Sequence, residues 1–311
     1  MTPDELRAVV DREMIRRVEK AIPGDPDDLP LLTRLAARME PAARRAFLAA
    51  VRGAAGVVDI GGLVDAIGSG QISQIEAAAQ LGKLSDDLLR QILPVLGRTF
   101  ALGIAVGAEA IGAAPGISYG FDLTNPQAIA WVRTHGAELV TEVTDSTRLG
   151  IRALVDVAFR EGVAPRDLAR NIREVIGLHS RQVEAVQHFR ARLTAEEVAP
   201  EVVDRRAGRY AQAQLRSRAQ TIARTETLTA SNQGQLALWE AARAQGHLDP
   251  ATTRRVWLTT PDDLLDTEIC EKMTDVETGL GDPWTLPDGR KVMIPTQSHP
   301  RCRCASGLVF K

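Results

Sequence analysis

The sequence predicts an α+β fold that is predominantly α-helical and ends in a small, loop-rich unit containing β-strands. Apolar residues recur at the helical period through most of the first 244 residues, and prolines and capping residues open several of these segments. After Asp249 and Pro250 the pattern changes to short runs separated by turn residues, which are typical of strands. All three cysteines of the 311-residue chain lie in this last part.

The composition predicts an ordinary globular protein. Hydrophobic residues make up 44% of the chain and charged residues 25%, and the formal net charge is -2, so a contact with nucleic acid would have to be local. The N-terminus lacks the basic start and apolar run of a signal peptide. In the most apolar interval the longest uncharged stretch is Thr99 to Ala108, too short for a bilayer span of ~20 residues. We therefore expect a protein of a reducing cytoplasm that does not cross a membrane.

Residues 1–115 are predicted to be entirely helical. A capping box in the first five residues, with a proline at the first helical position, opens a helix that should run to about Ala21. Two more helices are expected over 29–39 and 42–55, with Pro41 between them. Nothing in this region has the pattern of a catalytic site.

A long helix is expected after residues 56–70, where glycines favour short helices or turns. Ser85 is placed to cap it, and its apolar pattern continues to about Ile111. Three glycines inside it predict close packing against a neighbouring helix: Gly97, Gly103 and Gly107.

Residues 121–200 are predicted to form a helical hairpin or a small bundle, preceded by a linker at 114–120. Apolar residues at the helical period between 129 and 158 indicate one long helix, and two shorter helices follow it. The residues that mark these helix ends are, in chain order, Asn125-Pro126, Gly162, Pro165, Gly177, Ser180 and a capping box at Thr194–Glu197.

The next helix, from about Val203 to Ala244, carries an arginine face. By the helical period this face covers about a third of the circumference, opposite the apolar side. No acidic residue lies between Arg205 and Thr225. The face indicates a surface for DNA phosphates or for an acidic partner; the alternative is an ordinary solvated helix face. Its members are Arg205, Arg206, Arg209, Arg216 and Arg224.

Glu226 falls on the apolar side of the same helix, where a carboxylate needs a cation or backbone donors. We expect a structural ion pair that ties this helix to the C-terminal loops. The alternative is a hydrolase or nuclease in which Glu226 is the base and His299 the acid. Arg224 or Arg301 would then hold the oxyanion or the phosphate. No serine-histidine-aspartate order, phosphate-binding loop or His-Glu-x-x-His sequence supports an enzyme.

The C-terminal unit offers the donors of a metal site. Its strands are expected at 255–258, 284–286, 291–294 and 308–310, with a hairpin turn at Pro287–Gly289. A cysteine followed about thirty residues later by His-x-x-Cys-x-Cys provides four donors, enough for tetrahedral zinc. The alternative is that the thiols only pack against Trp257 and the long helix. The four predicted zinc ligands are Cys270, His299, Cys302 and Cys304.

Five segments of the second half also follow one another in a characteristic order and spacing. They are Ile222–Thr227, Ala230-x-Asn232-x-Gly234, Trp257-Leu258-x-Thr260, Cys270 and Ser298–Cys304. In these segments the chain resembles the phage Mu F-like head morphogenesis proteins, the minor capsid proteins of tailed phages and prophages. The resemblance covers about 125–306, and the His-Pro-x-Cys-Arg-Cys ending is its most specific piece. It implies that residues 201–311 form a Mu F-like C-terminal domain.

The resemblance implies a phage minor head protein that acts in procapsid assembly near the portal and in DNA packaging or delivery. Its partners would be the portal protein, capsid or scaffold subunits and phage DNA. It would occur in the head interior of the virion and in the host cytoplasm. Family members often have Cys-x-x-Cys where this chain has Cys270 and Met273. Methionine is a poor zinc ligand, which leaves the four residues named above as the ligand set.

Overall fold

The computed structural model of the chain describes residues 30–112, 126–260 and 265–311. Within them a series of helices precedes short strands, which confirms the predicted α+β class with a small C-terminal β-unit. The helices are α1 (Leu31–Gly56), α2 (Ile60–Gly68), α3 (Ile72–Ala78), α4 (Leu81–Gly112), α5 (Pro126–Glu161), α6 (Pro165–Val175), α7 (Ser180–Ala195) and α8 (Pro200–Ala244). The strands are β1 (Thr253–Leu258), β2 (Glu277–Gly279), β3 (Trp284–Thr285), β4 (Lys291–Val292) and β5 (Ala305–Phe310).

The chain divides into two compact units, each built from separate stretches of sequence. Among the described residues, unit 1 comprises those up to Ala43 and those within Leu93–Thr134 and Thr221–Lys311, and unit 2 comprises Arg44–Ile92 and His135–Gln220. The boundaries between the units fall inside α1, α4, α5 and α8. The predicted helix from Thr2, the linker at 114–120 and the Asn125 cap lie outside the described residues.

In unit 1, α4 and α8 approach each other at the level of the backbone. A Cβ atom on Gly103 would lie 1.9 Å from the carbonyl oxygen of Ser231, and one on Gly234 would lie 2.1 Å from that of Phe100. Only glycine allows this approach, because any side chain would meet a backbone atom that cannot turn aside.

One turn later on α4, the same contact continues at Gly107. A Cβ atom there would lie 3.3 Å from Trp239 Nε1, and this indole nitrogen donates a hydrogen bond to the Gly107 carbonyl oxygen at 3.1 Å. The predicted close packing is thus confirmed for Gly103 and Gly107. Gly97 lines a shallow apolar groove between α4 and α5.

The C-terminal β-unit contains two small antiparallel sheets. In the first, the strand order is β2-β1-β5, and Val256 pairs with Glu277 on one side and Gly307 on the other. In the second, β3 and β4 pair around the predicted turn, where Gly289 has a φ of +85°. The predicted hairpin and the predicted strands at 255–258 and 308–310 are therefore confirmed, although β5 already begins at Ala305. The short strand β2 was not predicted.

The predicted break at Pro41 is wrong, because α1 continues through this residue from Leu31 to Gly56. A proline inside a helix removes one backbone hydrogen bond and crowds the preceding turn. Here the ring lies on the exposed side of α1, whereas Leu35 and Phe47 are buried. Burial of the apolar residues before and after Pro41 stabilises the continuous helix despite the lost hydrogen bond.

Three predicted helix caps are also wrong. The α4 helix begins at Leu81, one turn before Ser85, directly after Gln80 with its positive φ of 60°. Ser180 is the first residue inside α7, and the capping position belongs to His179, whose side chain makes no cap hydrogen bond. Thr194 lies in the last turn of α7, where its hydroxyl donates to the Arg190 carbonyl oxygen at 3.2 Å instead of opening a new helix. By contrast, Gly162 and Gly177 follow α5 and α6 with positive φ, as predicted.

Helix α4 is long and apolar enough to cross a membrane by length and composition alone. The bent pair α1 and α2, with 72° between the helices, passes the same test if counted as one span. In the most apolar window of α4, 72% of the residues are buried, as in the core helix of a globular protein.

Candidate metal centre

Two chain segments of the β-unit bring the cysteines together. Cys270 directly precedes a 3-10 turn at Glu271–Met273, next to the β1 residue Trp257 in the same apolar cluster. The other three predicted ligands lie between a second 3-10 turn, Pro295–Gln297, and strand β5. Between them, Arg301 adopts a left-handed backbone conformation with a φ of +66°, which reverses the chain between His299 and Cys302.

Cys270, His299 and Cys302 form a cluster with the spacing of metal ligands. The Cys270 sulfur lies 2.9 Å from His299 Nε2 and 3.8 Å from the Cys302 sulfur. The three ligand atoms all lie within 4.8 Å of one another, so the cluster could hold a metal ion. Both cysteines are buried, whereas His299 is half-buried.

Cys304 belongs to the same buried group but not to this set of three. Its backbone N–H donates to the Cys302 sulfur at 3.5 Å, as N–H groups do toward thiolates. Hydrogen bonds of its thiol to Cys270 and Cys302, together with burial, raise the pKa of Cys304 well above the ordinary value. The structure thus brings all four predicted ligands together, with three of them at ligand spacing.

The cluster favours an imidazolium beside a thiolate. Hydrogen bonds to Cys270 and Cys302 raise the pKa of His299 to about 11. Hydrogen bonds from Cys270 and Cys304 lower the pKa of Cys302 well below its usual range, although burial opposes them. A thiolate is the form of cysteine that binds metal, and a metal ion would displace the imidazole proton.

The second ring nitrogen of His299 is also occupied. His299 Nδ1 lies 2.9 Å from the carbonyl oxygen of Pro300. A histidine that binds metal through one nitrogen commonly donates the other N–H to a backbone carbonyl or a carboxylate, which fixes the ring orientation. This contact directs Nε2 toward the two cysteines.

Hydrogen bonds hold the segment that carries these ligands against α8. The backbone N–H of Arg301 donates to Thr225 Oγ1 at 3.3 Å, and its Nε donates to Thr221 Oγ1 at 2.8 Å. Thr260 and Thr33 both donate their hydroxyl protons to the Arg303 carbonyl oxygen at 3.0 Å. The segment between His299 and β5 is therefore fixed from several elements of unit 1.

Asn232 makes the most extensive of these contacts. Its amide nitrogen donates to the Cys304 carbonyl oxygen at 3.4 Å and to that of Leu228 at 3.0 Å. Its Oδ1 atom accepts hydrogen bonds from Ser306. The Asn232 side chain thus contacts the two residues on either side of Ala305, namely Cys304 and Ser306.

Arg255 is an important residue of the β-unit that sequence reasoning missed. It is fully buried, and its guanidinium donates to the carbonyl oxygens of Met293, at 2.7 Å, and of Asp282. Its central carbon lies 4.3 Å from the ring centre of Trp284, at cation–π distance. Burial lowers the pKa of Arg255 to about 10, so it remains charged at neutral pH. An arginine in a short strand gives no signal in the sequence that distinguishes it from a solvated one.

The predicted arginine face is divided between the two units. Arg205, Arg206, Arg209 and Arg216 are exposed and lie in unit 2. Arg224 lies in unit 1, is half-buried, and forms an ion pair with Glu40 at 3.3 Å. Glu226 is also half-buried in unit 1.

Compared with known proteins, the chain matches no protein-family model, no curated protein and no solved structure. The resemblance to the Mu F-like proteins therefore rests on the residues quoted above. What the geometry itself establishes is a buried cysteine and histidine cluster that could bind a metal ion, in a small β-unit fixed to α8.

Proposed function

We propose that this protein is a non-enzymatic minor head protein of a tailed phage or prophage, acting in procapsid assembly near the portal and in DNA packaging or delivery. One observation supports this most: the residues that carry the resemblance contact one another within the fold. Thr225 binds Arg301, which is 76 positions away, and Asn232 binds Cys304, which is 72 positions away. These side chains build a scaffold, as expected of an interaction domain.

The geometry favours this role over a hydrolase or nuclease that uses His299. A general acid must reach its substrate at hydrogen-bond distance with a free proton. His299 instead contacts a buried thiol through Nε2 and a backbone carbonyl through Nδ1. Both ring nitrogens are therefore engaged inside the protein, which fits a structural role.

We infer further that the ion of this cluster is zinc. Thiolate and imidazole are the donors that zinc takes in structural sites, at about 2.3 Å for sulfur and about 2.0 Å for nitrogen. Two sulfurs bound to tetrahedral zinc at that length lie about 3.8 Å apart, and the two sulfurs of Cys270 and Cys302 are 3.8 Å apart. A sulfur and a nitrogen bound in the same way lie about 3.5 Å apart. His299 Nε2 would therefore withdraw slightly from its present 2.9 Å contact.

Cys304 is the residue that would complete the site. Structural zinc sites are almost always closed by four protein ligands. Cys304 is buried in the same cluster as Cys270 and Cys302, so its thiol is the candidate for the fourth position. Zinc would then tie Cys270 to the segment that precedes β5, and stabilise a unit whose sheets have few strand pairs.

The test of the assembly role uses procapsids. The chain is produced together with the portal, scaffold and coat proteins of the same phage or prophage genome, and procapsids are isolated by sedimentation. We expect a few copies of the chain per particle, and none in particles assembled without the portal. The Asn232→Ala variant should be incorporated poorly, and Gln212→Ala, at an exposed position of α8, should behave like the wild type. Procapsids with portal but without this chain would contradict the proposal.

A further inference from the structure

Four exposed arginines follow one side of α8 in unit 2, and we call them the arginine strip. They lie within about 100° of the helix circumference and extend over about 16 Å of its length, at 1.5 Å per residue. Ala213 lies between them and is exposed, so no bulky side chain separates the charges. The strip consists of Arg205, Arg206, Arg209 and Arg216.

Among the residues that the structure describes, no neighbouring acid neutralises the charge of the strip. Within the described residues, no acidic group forms an ion pair with any of the four arginines. Asp204, the acid next to the strip in sequence, is bound by Arg190, and Glu201, one turn before Arg205, makes no ion pair with any other described residue. Other surface arginines do have acidic partners within reach: Arg90 with Asp87, Arg148 with Asp145, Arg152 with Glu76, Arg170 with Asp167 and Arg192 with Glu196.

The surroundings of the strip favour a phosphate ligand over a protein surface. Protein interfaces have an apolar core, with aromatic or other large apolar anchors. None of the exposed large apolar side chains in the described ranges lies on α8; they occur at Val57, Ile129, Leu149, Phe159, Val276 and Phe310. Guanidinium groups match phosphate oxygens with two parallel hydrogen bonds, and a row of them can follow a nucleic-acid backbone.

We propose that the arginine strip binds the phosphate backbone of duplex DNA, without preference for its sequence. The chain as a whole carries a net charge of -2, so an unspecific attraction between a basic protein and DNA does not arise. Binding depends on this local row of charges. The inference is independent of the assembly role, because it concerns unit 2 and not the metal-bearing β-unit.

The experiment measures how the affinity depends on salt. The full chain is titrated into a fluorescein-labelled 30-bp duplex of arbitrary sequence, and anisotropy is followed between 50 and 200 mM KCl. Contact with four phosphates predicts a log–log slope of about -3.6, which is a loss of affinity of about 150-fold over that range. The triple variant Arg205→Ala, Arg209→Ala, Arg216→Ala keeps one arginine, so its slope should be about -0.9 and its loss about 3.5-fold.

A matched control removes the same charge from other exposed positions of unit 2. The variant Arg45→Ala, Arg52→Ala, Arg166→Ala should keep the slope of the wild type. Lysine at the three strip positions should also keep it, because the number of charges is unchanged. If the triple alanine variant loses helical circular dichroism, the single variant Arg209→Gln replaces it, with a slope expected to be about 0.9 less steep.

Several results would overturn the proposal. The first is no binding to the duplex at 50 mM KCl. The second is a strip variant that keeps the full slope, or a control variant that loses as much of it. The third is competition by an Asp- and Glu-rich peptide at the same charge concentration as DNA, which would assign the strip to an acidic protein partner instead.

Discussion

Asn232 on α8 accepts two hydrogen bonds from Ser306 on β5 at the same Oδ1 atom, from the backbone N–H at 3.1 Å and from the hydroxyl at 3.2 Å. Both residues are buried. One amide side chain therefore forms hydrogen bonds with α8 at Leu228, with the carbonyl oxygen of Cys304 and with β5 at Ser306. Because both residues are buried, removing the amide takes away the partner of the Ser306 N–H and hydroxyl where solvent is least able to replace it.

We expect Asn232→Ala to destabilise the protein by about 3 kcal/mol, because it leaves the Ser306 N–H and other buried groups without a partner. Urea unfolding followed by circular dichroism measures the change. Gln212→Ala, at an exposed position of the same helix, should change stability by less than about 0.5 kcal/mol. A loss below about 1 kcal/mol for Asn232→Ala would show that the amide is not needed to hold β5.

Elemental analysis of the purified chain should find about one zinc per molecule, as expected for one closed site. Cys270→Ser should abolish this zinc, and Cys304→Ser should lower the zinc affinity at least tenfold in competition with a chromophoric chelator. Met273→Leu is the matched control: it changes a buried sulfur-containing residue near Cys270 that is not among the proposed ligands. Full zinc content in Cys270→Ser would rule out this cluster as the binding site.

The contact between α4 and α8 predicts opposite effects for two glycine substitutions. Gly103→Ala should destabilise by about 3 kcal/mol, since its Cβ atom would overlap a backbone carbonyl and force the helices apart. Gly82→Ala, with nothing within 4 Å of the new Cβ atom, should stabilise by several tenths of a kcal/mol. Thermal unfolding of both variants distinguishes the two positions, and equal melting temperatures would contradict the packing.

His179 should make unit 2 sensitive to acid. Burial, together with the charges of Arg218 and Arg181, lowers the pKa of His179 below its ordinary value of 6.5. The unfolded chain therefore takes up a proton at a pH where the folded chain does not, and stability falls as the pH drops through 6.5. His179→Gln should lose less stability between pH 7.5 and pH 5 than the wild type, measured by urea unfolding at each pH. His188→Gln, an exposed histidine of α7, should keep the wild-type decrease; identical decreases in both variants would contradict the argument.

Arg255→Lys should destabilise by about 2 kcal/mol despite the retained charge, because an ammonium group cannot reach two separate carbonyl oxygens with the same fork geometry. The neighbouring substitution Arg254→Lys, at a half-buried position of β1, should have little effect. Urea unfolding of the two variants gives the comparison. If both variants are as stable as the wild type, the two hydrogen bonds of Arg255 are unimportant.

Much of the fold follows from the sequence because long helices repeat their apolar pattern many times. Helices α5 and α8 were predicted nearly to their ends, and Gly103 was correctly assigned to a close helix contact. The prediction divided helix α1 at Pro41, which is wrong. The destabilisation of the helix by this proline is smaller than the stabilisation from burying the apolar residues before and after it. Strand β2 has only three residues, and the pairing that defines it comes from β1. Local sequence contains no information on such a partner.

The candidate site was predictable in composition but not in arrangement. The spacing of Cys270, His299, Cys302 and Cys304 indicated a cluster, and the structure brings the first three to ligand spacing. The positions of Cys302 and Cys304 relative to His299 depend on the left-handed backbone of Arg301, which no residue type in the sequence requires. Arg255 was missed for a similar reason, since its burial comes from Trp284 on a different strand.

The two carbonyl oxygens that Arg255 binds belong to Asp282, just before β3, and to Met293, just after β4. The hairpin between them, formed by β3 and β4, contains only two residue pairs, so few backbone hydrogen bonds fix these two segments. If one of these two segments moves away, the buried guanidinium of Arg255 loses one of its two carbonyl acceptors. The hydrogen bond to the other segment is then weakened as well, because the cation is no longer fully solvated by the protein. The two segments should consequently open in a single cooperative step, and hydrogen exchange should give the same free energy of opening for their amide protons.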